Sequence, residues 1–175
     1  IDLDTSPAAE TVQVTVRALY KVTARDAAAD ADDMLDIFAV EDDEEDQMLV
    51  ERALHEARLL NQLTVVSDGE AVMDVLQRRG RFADATRPDL LLLDLNMPRQ
   101  DGREVIRAMR SDPDLRSIPV VVLTTSGSEE DVQLSYELGA NSYIRKPVTF
   151  EKLVHVIKTL GTYWFEIVEL PRGTL

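Results

Sequence analysis

Leu90-Leu91-Leu92-Leu93-Asp94-Leu95-Asn96-Met97-Pro98 decides how this chain is read. The four leucines make a short continuous apolar run, as expected of a strand buried on both faces. The run ends on a carboxylate, a group that apolar surroundings do not hold without a partner. Working outward, strand-sized apolar runs recur at 34–40, 63–66, 120–123 and 142–144. Between them the spacing turns helical. Leu49, Val50, Ala53, Leu54 and Ala57 follow the i, i+3, i+4 rule, as do Val72, Val75, Leu76 and Val105, Ile106, Met109. Asp68-Gly69, Asp101-Gly102 and Ser126-Gly127-Ser128-Glu129 place cap-forming residues before helices, and Ser126-x-x-Glu129 fits a capping box. Gly80 and Gly139 fall where helices should stop. Five strands alternating with five helices imply an α/β fold, a doubly wound five-stranded parallel sheet with helices on both faces. Such sheets bind their ligands at the carboxyl ends of the strands, where the strand order reverses.

Composition narrows the function. The 175 residues are 45% hydrophobic and 30% charged, enough for one domain with a proper core. Cysteine is absent, which excludes disulfides, thiolate metal sites and cysteine nucleophiles. Acids outnumber bases 33 to 19 for a net charge of −14. That surface repels phosphate backbones, and without a basic patch nucleic acid is not an expected partner. The apolar runs are far shorter than the ~20 residues of a membrane helix, so no membrane is expected either. The first residues lack the basic and apolar regions of a signal peptide. A cytoplasmic protein is the expectation. Three zones emerge: an N-terminal arm and acidic linker (1–33), the alternating domain (34–161), and an extension of the last helix (162–175). In the arm Val12, Val14 and Val16 alternate as in an edge strand, and an Asp/Ala run over 26–33 has no hydrophobic face.

The strand ends carry the chemistry. The first runs into Glu41-Asp42-Asp43-Glu44-Glu45-Asp46, the third into Asp94, the fourth into Thr124, and the fifth into Arg145-Lys146-Pro147. By the topology rule these ends converge on one crevice. Clustered carboxylates repel one another, so a cation must hold them together. Mg²⁺ suits that role, because it prefers oxygen ligands and keeps several waters. Glu41, Asp42 and Asp94, with a backbone carbonyl near Asn96, are the expected ligands. Asp94 is then a carboxylate able to accept a phosphoryl group. Lys146 is placed to pair with that group and Thr124 to hydrogen-bond it. For Asp43 to Asp46 the expected role is only that of acids at a helix start.

The segment from about Met34 to Gly161 resembles a response-regulator receiver domain of the CheY-like kind. The resemblance rests on Glu41-Asp42, Asp94-Leu-Asn96-Met-Pro98 with Asp101-Gly102 behind it, Thr124, Tyr143 and Lys146-Pro147. Thirty residues separate Asp94 from Thr124 and twenty-two separate Thr124 from Lys146, as in that family. Leu123-Thr124-Thr125-Ser126 and the tail from Tyr163 to Pro171 resemble single-domain receivers paired with phytochrome-type histidine kinases. The resemblance implies a flavodoxin-like strand order 2-1-3-4-5 and makes Asp94 the phosphoacceptor. It makes Asp42 a direct metal ligand, with Glu41 acting mainly through water and Asn96 through its carbonyl. Thr124 and Tyr143 become the switch pair, Lys146 the phosphoryl contact, and the Lys146–Pro147 peptide is expected to be cis. A sensor histidine kinase, such as a bacteriophytochrome, is the implied partner.

Two other functions compete. A Mg²⁺-dependent phosphohydrolase working through an aspartyl-phosphate is disfavoured, because haloacid-dehalogenase-type phosphatases need a carboxylate where Asn96 stands. A degenerate receiver serving as a docking module is disfavoured by the intact acids, Thr124 and Lys146. No P-loop pattern occurs, and His55 and His155 are expected on exposed helix faces. The last helix shows Leu153, Ile157, Leu160, Trp164 and Ile167 at heptad-like steps running through Gly161. With Trp164, Ile167 and Val168 left exposed, the expectation is a homodimer through helix four, strand five, helix five and the extension. The alternative is a tail folded back over its own domain.

Overall fold

The computed structural model describes residues 14–17, 36–57, 62–67, 69–97 and 101–171. In chain order the elements are β1 (Val14–Arg17), β2 (Asp36–Val40), α1 (Glu44–Glu56), β3 (Gln62–Val66), α2 (Gly69–Leu76), β4 (Leu90–Leu93), α3 (Gly102–Ser111), β5 (Val120–Thr124), α4 (Glu129–Glu137), β6 (Ser142–Arg145) and α5 (Phe150–Gly161). The linker 26–33, Val12, Met34, Asp68 and Pro98, all singled out above, lie outside the described residues. The sheet runs β1-β3-β2-β4-β5-β6. From β3 to β6 every pairing is parallel, which is the expected 2-1-3-4-5 order. The arm supplies a sixth strand: β1 lies antiparallel to β3, with Val14 opposite Val66 and Arg17 opposite Leu63. It occupies an edge that would otherwise present unpaired N–H and C=O groups.

Alternation along the strands sorts side chains into two cores. Phe38, Val40, Leu91, Leu93, Val120 and Val122 face α2 and α3, where Val72, Val75, Val105, Ile106 and Met109 are buried. Ile37, Ala39, Leu90, Leu92, Val121 and Leu123 face α1 and α5, where Val50, Ala53, Leu54, Leu153 and Ile157 are buried. Each buried Val, Leu, Ile, Phe or Met side chain contributes about 1.5–3 kcal/mol on full burial. In α4, only Ser135 is buried. Gly139, at φ 102°, turns the chain out of α4.

Three local expectations are corrected. Ser128, not Ser126, caps α4, accepting from the Asp131 amide at 3.1 Å. The Ser126 hydroxyl is engaged by the Asp131 carboxylate instead. The Lys146–Pro147 peptide is trans, the isomer favoured by about 0.5–1 kcal/mol before proline.

The tail is the third correction. The chain does continue past Gly161, but as a π-helical turn over Thr162–Ile167, closed by the Val168 amide on the Tyr163 carbonyl at 3.0 Å. A π turn carries more residues than an α turn, so the heptad stripe loses its phase. Trp164 rotates inward and joins the α1/α5 core at 7% exposure, whereas Ile167 is 69% exposed. Phe165, Val168 and Leu170 pack against the same core. The indole Nε1 has no hydrogen-bond partner among the described residues, so apolar contact holds the ring. Trp164→Ala should therefore cost about 3–5 kcal/mol in urea unfolding, whereas Ile167→Ala should stay within about 0.5 kcal/mol.

Candidate functional site

The strand order reverses between β2 and β4, and their ends lie side by side, with Val40 opposite Leu93. Backbone hydrogen bonds extend past the strands and fix the residues that follow. The Asp94 amide donates to Val40 at 3.0 Å and the Glu41 amide to Val66 at 3.1 Å. The Lys146 amide donates to Thr124 at 2.7 Å. Glu41, Asp94 and Thr124 are thereby buried together at the carboxyl edge of the sheet. Gly102 lets the start of α3 lie against the Asp94–Leu95 backbone: a Cβ there would clash with the Asp94 carbonyl oxygen.

Lys146 organises the crevice. Its Nζ donates to Asp94 Oδ2 at 2.8 Å, to Asp46 Oδ2 at 2.6 Å, and to Glu41 Oε2. The side chain is 9% exposed. Asp94 Oδ1 accepts from the Asn96 amide at 3.1 Å. Asn96 Nδ2 makes a longer contact to Thr124 Oγ1, 3.4 Å. Tyr143 is half-buried and its hydroxyl donates to the Ser126 carbonyl at 3.1 Å. His55 and His155 stand on exposed helix faces.

Burial drives the carboxylates apart in acidity. Burial pushes Glu41 up to about 7, with the Asp94 charge adding to the rise, although Lys146 pulls it down. For Asp94 burial also pushes upward, but Lys146, the Asn96 amide and Thr124 together outweigh it, and the carboxyl sits below the ordinary range. Asp42 is raised by burial and by the Asp94 charge. Lys146 is raised: its burial opposes the charge, but bonds to Asp46, Asp94 and Glu41 outweigh that. Asp94 is thus the carboxylate of the crevice most firmly held in its charged form.

Oxygens of Glu41, Asp46 and Asp94 all lie within 4.8 Å of one another. Three carboxylates against one ammonium leave excess negative charge, and an all-oxygen donor set fits a hard divalent cation. Asp42 stands outside this trio. Asp46 is the residue that sequence reading missed, assigned only to the helix start. It lies in the first turn of α1, where side chains tilt back toward the helix N-terminus and so toward the strand ends. Asp43 does play the expected part, capping α1 by accepting from the Asp46 amide at 2.9 Å.

Glu41 binds its proton more tightly in the fold than its ordinary value of 4.5 allows. It therefore withdraws stability as pH rises from about 4.5 through about 7, and the loss is complete above that window. Glu41→Gln should show a stability advantage over the parent that grows across this window and then levels, measured by urea unfolding without divalent ions. Gly102→Ala should lose about 1–3 kcal/mol in the same assay, because backbone atoms must give way.

Comparison with known proteins agrees with this geometry. Residues 37–158 match the sequence model of the response regulator receiver domain. The chain is 43% identical over 135 residues to the response regulator Rcp1 of Synechocystis sp., covering 77% of this chain and 92% of that one. The crystal structure of the phosphorylated cyanobacterial phytochrome response regulator RcpA matches with a TM-score of 0.75 at 42% identity, covering 79% of this chain and 99% of that one. The Mn(2+)-bound form of Rcp1 matches with a TM-score of 0.73 at 42% identity, covering 78% and 99%. With a reversed-order parallel sheet, a lysine-bound aspartate at its switch point and these relatives, the chain belongs to the response regulator receiver family of two-component signalling.

Proposed function

We propose that Asp94 takes a phosphoryl group from a phosphohistidine of a phytochrome-type sensor kinase. An Asp94 oxygen attacks phosphorus, the P–N bond to the histidine breaks, and an acyl phosphate forms. The observation that carries this reading is the buried Lys146 ammonium 2.8 Å from the Asp94 carboxylate, with Asp94 held in its anionic form. Lys146 then follows the transferred group and balances its charge. Asp42, Asp94 and the Asn96 carbonyl would hold Mg²⁺, with Glu41 assisting through water, and the ion would supply charge neutralisation for the phosphoryl oxygens. Asp46 is added to the residues facing that ion. Thr124 and Tyr143 serve as the switch pair.

The chain works as a cytoplasmic signalling protein, with no turnover of a separate substrate, and its receiver unit spans residues 34–161. Residues 1–33 form an arm and 162–175 an extension. A homodimer through α4, β6 and α5 rests on the exposed Tyr163 and Ile167 of the extension, since Trp164 is spent on the chain's own core.

Incubation with acetyl phosphate and Mg²⁺ should add one phosphoryl mass to the intact protein. Asp94→Asn, which keeps the shape and removes the nucleophile, should add none. A folded Asp94→Asn variant that gains the same mass places the acceptor elsewhere. Phosphorylation undiminished in excess chelator argues against the metal.

A further inference from the structure

Beyond the buried crevice, one polar chain ties three elements together. Arg103, in the first turn of α3, is 16% exposed. Its Nη1 donates to both oxygens of Asp101 at 3.0 and 2.9 Å, and its Nη2 to Asp131 Oδ1 of α4. Asp101 also caps α3 through the Arg103 amide at 2.8 Å. The other oxygen of Asp131 accepts the hydroxyl of Ser126. The Ser126 amide reaches Thr124 Oγ1 at 3.4 Å, and its carbonyl accepts the Tyr143 hydroxyl at 3.1 Å. Among the described residues, Ser126 is therefore the one joined to Thr124, to Tyr143 and, through Asp131, to Arg103.

We infer that Arg103 and Asp131 are positioning residues forming a latch, which holds the 125–128 loop and so restrains Thr124 and Tyr143 in the unphosphorylated arrangement. The inference rests on the reading of Asp94 as phosphoacceptor. For Thr124 to turn its hydroxyl to a phosphoryl oxygen, the Ser126 amide must give up Thr124 or follow it. Following it pulls the Ser126 hydroxyl from Asp131, or pulls Asp131 from Arg103. The Tyr143 ring, held by the Ser126 carbonyl, moves under the same restraint. The ion pair is partly shielded from water, which keeps it from the near-zero worth of a fully exposed pair. α4 offers little counterweight, because Ser135 is its only buried residue. A ligand that prefers the rearranged site must work against the latch, and removing the latch shifts that equilibrium toward the ligand.

The test compares the full chain with Arg103→Gln, Asp131→Asn and the double variant. Trifluoroberyllate with Mg²⁺ serves as the phosphoryl mimic. Each single variant should bind it more tightly, by about fivefold, and the double variant should gain no more than a single one, since both break the same link. Without any mimic, amide hydrogen exchange at 125–128 should quicken in all three while β5 stays protected. Equal or weaker affinity in the variants, or fully additive gains, overturns the latch, as does unchanged exchange of the loop. If the parent protein takes up no trifluoroberyllate, the phosphoacceptor reading fails, and loop exchange alone decides whether the latch exists.

Discussion

The ammonium of Lys146 is the group on which the rest of the molecule depends. Three carboxylates from two segments, Glu41 just before α1, Asp46 in its first turn and Asp94 after β4, meet on one nitrogen. Without it the buried acids would repel one another or take up protons. Breaking such a buried cluster by removing one partner leaves a charge without compensation, which is far more costly than never having built it. Glu41 and Asp42 are both shifted toward neutrality, chiefly by burial that the single ammonium does not offset. That shortage of positive charge also makes the site receptive to a divalent cation.

Around this fixed point the fold grades from rigid to loose. β2, β4 and β5 are buried on both faces, and backbone bonds carry their order into the residues of the crevice. The 125–128 loop and α4 are held mainly by polar links: the Ser128 cap, the Asp131–Arg103 pair and the Tyr143 hydroxyl. Regions with few buried apolar contacts open at lower free energy than the core. The element least anchored in the core is thus also the one whose restraints are few, polar and separable.

The two ends of the described chain are drawn into the domain in different ways. β1 adds an antiparallel edge to a sheet that is otherwise wholly parallel. The C-terminal π turn brings Trp164 under α1 and α5, closing a core that five helices alone leave open at that point. The apolar stripe of the last helix therefore serves mostly the chain itself, and only Tyr163 and Ile167 remain outward.

Sequence by itself determined the parallel two-faced sheet and the membership of Glu41, Asp94, Thr124 and Lys146 in one crevice, while the strand order came from the family resemblance. It could do so because apolar runs of strand length have few ways to be buried, and charged residues at their ends have one place to go. Asp46 was hidden because a six-acid run looks uniform in sequence, whereas the tilt of α1 selects which of its carboxylates turns back to Lys146. The phase of the tail was hidden for a similar reason: α and π turns accept the same residues, and only packing into the core beside α1 and α5 chooses between them. The Ser126–Asp131–Arg103 chain joins residues 5 and 28 positions apart, contacts that no local period encodes. Tertiary structure alone decided these three, because each depends on where a second element stands.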